Sequence, residues 1–377
     1  MELIATCKIG LESTVAFQLH KLGILDTETL DARVKFFGGY DTMAKALLWL
    51  RTAERVLLTV GTFRADTFDA LFEQTKALPW NRYLRPDTRI HVNGKSAKST
   101  LFSVSDCQSI VKKAIVESLK AAYHVNTIPE TGAEVILEVG ILRDEVTIAL
   151  DCCGAGLSRR GYRTYNVAAP LSETLGAGLI LLSRFFPDTP LIDPMCGSGT
   201  IPIEAAMIAN NIAPSKNRTF AAEQWQFLDQ RIFRRAREEA ADAERHDKLL
   251  ILGSDIDPHC IDLCKKHAKK AGITVDWAVK PVKELKTAWH DGVLITNPPY
   301  GERLMTPGAV KTLYGELRTV FDTLPDFQIN IITSAKDFET IYGKPANRRR
   351  KLSNGGMPCT LYQFSPERKP KEQQESF

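Results

Sequence analysis

Apolar positions recur along this chain in two rhythms, and the rhythm changes near residue 165. Residues 2–9 alternate apolar and polar like a short strand, and LESTVAFQLHKLG has the three-and-four spacing of an amphipathic helix. TLDARVKFFGGY predicts a second strand closing in a Gly-Gly turn. Met43, Leu47 and Leu50 begin an apolar stripe that predicts one helix over residues 40–60. The next hundred residues repeat the mixture. TFDALFEQTKAL is helical and ends at Pro79, and TRIHVNGKSA is a strand running into a basic loop. SDCQSIVKKAIVESLKAAY is a helix with Ser105 or Asp106 as N-cap, and AEVILEVGILRDEVTIALDCCG is a hairpin turning at Arg143-Asp144. From Leu171 onward helices alternate with short, wholly apolar strands: PLIDPMC, LLILGSDID, GVLITNPPY, then FQINIITS and TLYQFS. That alternation predicts a mostly parallel, doubly wound sheet. The expected organisation is a small α+β module over 1–60, a second α+β module over 61–165 and an α/β domain over 166–377. SRRGYRTYNVAAP reads as the linker, DQRIFRRAREEAADAERHDK as a solvated helix, and the tail SPERKPKEQQESF as disordered.

Composition narrows the class. With 44% hydrophobic and 25% charged residues over 377 positions, a fibrous or wholly disordered protein is excluded. The best apolar stretch, Leu175–Phe186, is cut by Ser183 and Arg184 before it reaches the ~18 residues of a membrane span. The start, MELIATCKIGLEST, lacks the basic and long apolar regions of a secretory signal. A net charge of +4 points only weakly to a polyanionic partner, so any nucleic-acid surface must come from local clustering. Eight cysteines occur with no CxxC pair. HCIDLCKKH puts Cys260, Cys264 and His267 on one helix face, a poor cage for a tetrahedral metal, so no metal site is expected. Reduced thiols without a signal predict the cytoplasm.

Three strand ends carry candidate chemistry. In LIDPMCGSGT, Gly197 and Gly199 let the backbone turn tightly beside a ligand, with Asp193 ahead of them and Cys196 in the turn. A dinucleotide fingerprint would need a third small residue where Pro202 stands, and Asp193 would repel a pyrophosphate. A cationic amino-acid head suits the carboxylate better. GSDID ends the next strand. Asp255 can accept ribose hydroxyls there, and Asp257 can cap the helix starting near Pro258. ITNPPYGERL is the most specific signal. Asn297, Pro298, Pro299 and Tyr300 leave a buried strand in a rigid turn. The Asn297 amide oxygen and the Pro298 carbonyl can both face a planar NH2 group, and Tyr300 offers a ring for a base to stack on.

The glycine loop and the NPPY tetrad together resemble class I S-adenosylmethionine-dependent amino-methyltransferases acting on exocyclic nitrogens of bases. The resemblance implies that Asp193, Cys196, Gly197, Gly199 and Asp255 hold S-adenosylmethionine and that Asn297 to Tyr300 hold the acceptor amine. Pro281 stands near the place where many relatives carry an Asp for adenine, so no adenine residue is assigned.

Ala149 to Arg163, ALDCCGAGLSRRGYR, resembles the end of a THUMP domain, an RNA-binding module, and the module ahead of it resembles its ferredoxin-like companion. With APLSETLGAGLILL and DPMCGSGTIPIEAAMIANNIAPS, nearly the whole chain is similar to bacterial 23S rRNA guanine-N2 methyltransferases of the RlmL type, including their shorter Gram-positive relatives. The resemblance implies a doubly wound, Rossmann-like methyltransferase domain after ferredoxin-like and THUMP domains, with RNA as partner, no membrane and no obligate protein partner. Lys95, Lys98, Lys112, Lys113, Arg159, Arg160 and Arg163 are the candidate phosphate contacts, with Tyr162 or Phe102 stacking on a base and the run NRRRK (347–351) as a further contact. The alternatives are a tRNA guanine-N2 methyltransferase, a DNA adenine methyltransferase and a non-catalytic RNA-binding assembly factor.

Overall fold

The computed structural model describes residues 1–163, 171–299, 307–324 and 326–366. The chain forms two compact units. One gathers Met1–Cys7, Val15–Arg159 and Ser215–Ala240; the other gathers Lys8–Thr14, Arg160–Pro214 and Ala241–Phe377.

The first unit is built on β1 (Glu2–Cys7), β2 (Thr27–Leu30), β3 (Arg33–Phe37), β4 (Ala53–Arg64), β5 (Arg89–Ala97), β6 (Glu134–Leu142) and β7 (Glu145–Asp151). Its helical segments are α1 (Glu12–Lys21, of which the part from Val15 belongs here), α2 (Tyr40–Trp49), α3 (Phe68–Lys76) and α4 (Val104–Tyr123). The strands make one sheet in the order β2-β3-β1-β4-β7-β6-β5. β4 runs unbroken through the boundary expected near residue 60, pairing with β1 on one side and β7 on the other.

Three local expectations differ from what is observed. The helix expected over 40–60 stops at Trp49, because Val56, Leu57 and Leu58 belong to a strand with neighbours on both sides. A continuous apolar run does not distinguish such a strand from a helix. TLDARVKFFGGY is two strands, turning where Ala32 adopts φ 58°. The N-cap position of α4 is Ser103, which makes no side-chain cap hydrogen bond; its hydroxyl donates to Asp106 at 2.6 Å instead. The hairpin at Arg143-Asp144 forms as expected, with both residues at positive φ (53° and 62°), as a type I′ turn requires.

The second unit opens with α5 (Glu173–Leu182), β8 (Leu191–Asp193) and α6 (Thr200–Ala209). The chain then gives Ser215–Ala240, including most of α7 (Arg231–Asp242), to the first unit. There Phe233, Ala236 and Ala240 are buried, Arg237 pairs with Glu223 at 2.6 Å, and Arg218 donates to the carbonyls of Gly156 (2.7 Å) and Ala155. The charged helix is therefore solvated on one face only.

The second unit resumes with β9 (Ile251–Asp255), α8 (Pro258–Ala271), β10 (Asp276–Val279), β11 (Val293–Thr296), α9 (Pro307–Phe321), β12 (Gln328–Thr333), α10 (Phe338–Tyr342), β13 (Arg348–Asn354) and β14 (Met357–Phe364). The sheet order is β10-β9-β8-β11-β12-β14-β13, parallel through β12 and antiparallel at β14 and β13. Strand order reverses at β8, so a crevice is expected beyond the carboxyl ends of β8, β9 and β11. Among the described residues no helix is long and apolar enough to cross a membrane.

Candidate active site at the carboxyl ends of β8, β9 and β11

Asp193 closes β8 and is 1% exposed. Its Oδ1 accepts from the Thr296 hydroxyl at 2.9 Å and from the Met195 amide at 3.3 Å. Both donors fall on one oxygen, which leaves Oδ2 for a ligand. Burial pushes the carboxyl up to about 7, restrained by those two hydrogen bonds.

The glycine loop follows. Asp255 at the tip of β9 ties it down: one oxygen accepts from the Gly197 amide at 2.9 Å and the other from the Asp257 amide at 3.0 Å. Helix α8 supports the loop from below. The Cys264 thiol donates to the Gly197 carbonyl at 3.2 Å and lies 3.8 Å from the Cys196 sulfur, while His267 Nδ1 bonds the Ser198 carbonyl at 3.1 Å. Cys260 bonds instead to Asp257, so the HCIDLCKKH side chains serve separate partners. Asp257 caps α8 through the His259 amide at 2.8 Å.

The two glycines differ. Gly199 has φ 83°, and a Cβ there would sit 2.9 Å from Trp277 and 3.0 Å from the Cys264 sulfur. Gly197 has φ 53°, and a Cβ there would meet nothing within 4 Å. The first is required by packing. The second faces open space, as a ligand cradle would.

Asn297 follows β11 directly. Its Oδ1 is buried and has no hydrogen-bond partner among the described residues. An unpaired buried acceptor costs about 1–3 kcal/mol, so this oxygen is arranged for a donor that comes from outside. The proline corner is fixed by Tyr314, whose hydroxyl donates to the Pro299 carbonyl at 3.2 Å and meets the Thr333 hydroxyl at 2.8 Å. The Pro299 carbonyl therefore already accepts one hydrogen bond from within the protein. Tyr300 lies outside the described residues.

A model for the RMKL-like methyltransferase domain matches residues 160–363, preceded by an RlmL ferredoxin-like domain at 2–57 and a THUMP domain at 65–151. The chain belongs to the RMKL-like methyltransferase family. The Bacillus subtilis protein named "Putative RNA methyltransferase YpsC" is 42% identical, over 98% of both chains. "Ribosomal RNA large subunit methyltransferase K/L" of Marinomonas is 31% identical over 95% of this chain, which spans about half (52%) of that longer protein. Two solved structures superpose with TM-scores of 0.92. One is described as a "predicted N6-adenine-specific DNA methylase" from Listeria monocytogenes (45% identity, 97% of this chain and 96% of that one). The other is "SMU.472, a putative methyltransferase complexed with SAH" (41% identity, 98% and 99%).

In this RMKL-like methyltransferase several of the expected RNA contacts are internal. The Arg160 side chain is fully buried and pairs with an equally buried Glu204 at 3.4 Å, and the Tyr162 hydroxyl donates to the same Glu204 oxygen at 3.1 Å. Arg163 donates to the Leu171 carbonyl at 2.8 Å and lies 3.6 Å from Glu173. Arg160 and Arg163 are therefore core cations of the second unit, and Tyr162 has no face to offer a base. Lys112 is partly neutralised by Glu130 at 2.9 Å, and Lys113 lies 5.9 Å from the centre of the Phe72 ring. Lys95, Lys98 and Arg159 are exposed, as is Phe102 at 83%. In the basic run, Arg349 pairs with Glu339 at 2.7 Å and Arg350 donates to the Gly10 carbonyl at 2.8 Å, so two of its cations are occupied.

Sequence reasoning missed Thr296, Tyr314 and Cys264, which act only through contacts distant in sequence. It also missed Ile256 and Val279, 71% and 55% exposed at adjacent strand ends. An aliphatic residue straight after a strand-ending acid was the available signal.

Proposed function

We propose that this protein transfers the methyl group of S-adenosylmethionine to the exocyclic N2 amine of a guanine in 23S rRNA. The observation that carries the reading is the buried, unpartnered Asn297 Oδ1 at the carboxyl end of β11, one residue from the Thr296 hydroxyl that bonds Asp193. The residues fit the cofactor. Asp193 keeps one carboxylate oxygen for an ammonium group, Gly197 leaves its outer face clear, and each Asp255 oxygen has a lone pair left for a ribose hydroxyl. Cys196 and Gly199 shape the turn. Ile256 and Val279 offer apolar cover for a purine.

Bound S-adenosylmethionine supplies an already electrophilic methyl group. What remains for the protein is alignment and charge. Asn297 Oδ1 and the Pro298 carbonyl accept the two amine hydrogens and draw the nitrogen lone pair out of ring conjugation toward the methyl. The same acceptors stabilise the positive charge that grows on nitrogen. Pro299, held by Tyr314, keeps the corner rigid, and Tyr300 supports the base by stacking. The proton leaves to solvent, so no strong base is required.

The THUMP match and the ribosomal RNA relatives support RNA over DNA, and Lys95, Lys98 and Arg159, with Lys112 and Lys113, form the phosphate-facing set. Of the modules at 1–60, 61–165 and 166–377, the first two, which share one sheet, would serve RNA capture together and the third would carry the chemistry, in the cytoplasm. The test is mass spectrometry of ribosomal RNA from a deletion strain, with methylation restored by purified protein and S-adenosylmethionine. One lost N2-methylguanosine in 23S rRNA is expected. Unchanged rRNA with altered tRNA overturns the substrate, and no change in either overturns the reaction.

A further inference from the structure

The first unit contains a cleft that shares no residue with the candidate active site. It is a cavity of about 180 Å³ between the 81–88 loop, the start of β6 and residues 224–227 of the segment lent by the methyltransferase half. Its lining combines aromatic rings and arginines with the carboxylates of Asp87 and Glu134. Trp225 and Phe227 stack at 5.3 Å with planes 23° apart, and Tyr83 meets Phe227 edge-on at 5.5 Å. Trp225 is buried, whereas Tyr83 and Phe227 keep part of their rings in solvent. Arg82 and Arg85 stand exposed on the rim, and neither guanidinium makes an ion pair among the described residues. Their freedom contrasts with Arg231, Arg235 and Arg237 of the adjoining segment, each paired with a carboxylate.

We infer that this cleft binds an unpaired nucleotide of the RNA substrate, its base against Tyr83 and Phe227 and its flanking phosphates on Arg82 and Arg85. Partly exposed aromatics beside unpaired cations are the two elements single-stranded RNA needs: a ring to stack on and a positive charge for the backbone. An acidic peptide would use the arginines without needing the rings, and a small apolar ligand would use the rings without needing the arginines. Gln224 and Gln226, exposed at the mouth, add amides that can read a base edge. The inference rests on the reading of the chain as an RNA methyltransferase and gives its first unit a second point of grip.

The experiment uses the full-length protein and a fluorescein-labelled single-stranded RNA decamer, with the same sequence as a duplex for comparison. Phe227→Ala is expected to weaken single-strand binding about tenfold, the scale of one lost base–aromatic stack. Arg82→Gln with Arg85→Gln is expected to lower the slope of log affinity against log salt by about 1.4, two single-strand phosphate contacts. Both variants should keep wild-type S-adenosylmethionine affinity, and both should raise KM for rRNA with kcat unchanged. The arginine pair is on the surface, so it keeps the test valid should Phe227→Ala fold poorly. Wild-type affinity and slope in the arginine variant overturn the cleft. Equal binding of duplex and single strand also overturns it, since a stacked base must be unpaired. If the wild-type protein methylates RNA while both variants behave normally, only the cleft falls. If the wild-type protein neither binds nor methylates RNA, the functional reading falls with it.

Discussion

Asn297→Ala separates a side chain kept for chemistry from one kept for folding. The Asn297 Oδ1 is buried and makes no hydrogen bond to the described protein. Truncation removes an unpaired acceptor whose burial costs about 1–3 kcal/mol. It also removes three side-chain heavy atoms, and their packing loss is of similar size and opposite sign for a small, partly buried group. The two contributions offset, so folded stability should move by less than about 1 kcal/mol. The kinetic effect has no such compensation. Losing one aligned acceptor at a site of developing charge costs about 2.7–4 kcal/mol, a 10²- to 10³-fold fall in kcat. Thermal unfolding, calorimetric cofactor binding and single-turnover methylation of rRNA on the same preparation measure the three quantities. A variant that unfolds several kcal/mol more easily but turns over normally once folded would refute the argument, because Asn297 would then be a structural residue.

Asp193 gives a pH signature. Its carboxyl is raised from 3.8 to about 7 by burial, so the folded state holds a proton that the unfolded state has already lost between those values. Its contribution to stability is present below about pH 4 and is lost as pH rises through about 7, and Asp193→Asn should flatten that part of a stability–pH curve. Cofactor binding should run the other way. An ammonium group selects the ionised carboxylate, so affinity should rise with pH up to about 7 with proton release, readable by calorimetry in buffers of different ionisation enthalpy. The glycines should part company: Gly199→Ala, at φ 83° and against Trp277, should lower stability by more than the backbone strain alone, whereas Gly197→Ala, strained only by its φ of 53°, should cost about 1 kcal/mol, still fold and lose cofactor affinity. Equal behaviour of the two in a binding titration would remove Gly197 from the cradle. Arg160→Ala should destabilise the protein by about 3–5 kcal/mol by leaving Glu204 uncompensated, with no change in the salt slope of RNA binding.

The placement of the candidate residues was legible in the sequence wherever a motif sat at a strand end. Asp193, Asp255 and Asn297 come from three segments over a hundred residues, yet each ends an apolar run, and a parallel sheet brings such ends together. Legibility failed where tertiary context overrode local pattern. The 40–60 stripe could not reveal that β4 has a neighbour on each side. β10 (DWAV) is too short, and β13 (RRRKLSN) carries too few apolar residues, to announce an edge strand. Arg160 and Arg163 sit in a polar, glycine-flanked stretch that reads as surface, and only Glu204 and Glu173, distant or beyond a proline, reveal them as internal. Tyr314 is one aromatic on an apolar helix face until its hydroxyl is found on Pro299.

The reciprocal loan of Lys8–Thr14 and Ser215–Ala240 has a consequence for biosynthesis. On the ribosome, the amino-terminal sheet is fully translated by Asp151, yet its partner segment with Trp225 and Phe233 has not been made. The nascent chain must wait through some ninety further residues before that apolar surface finds its cover. No single cleavage point yields two self-sufficient halves, so a truncated fragment starting near residue 160 should aggregate through its orphaned aromatic segment, and co-expression of the amino-terminal piece should rescue its solubility.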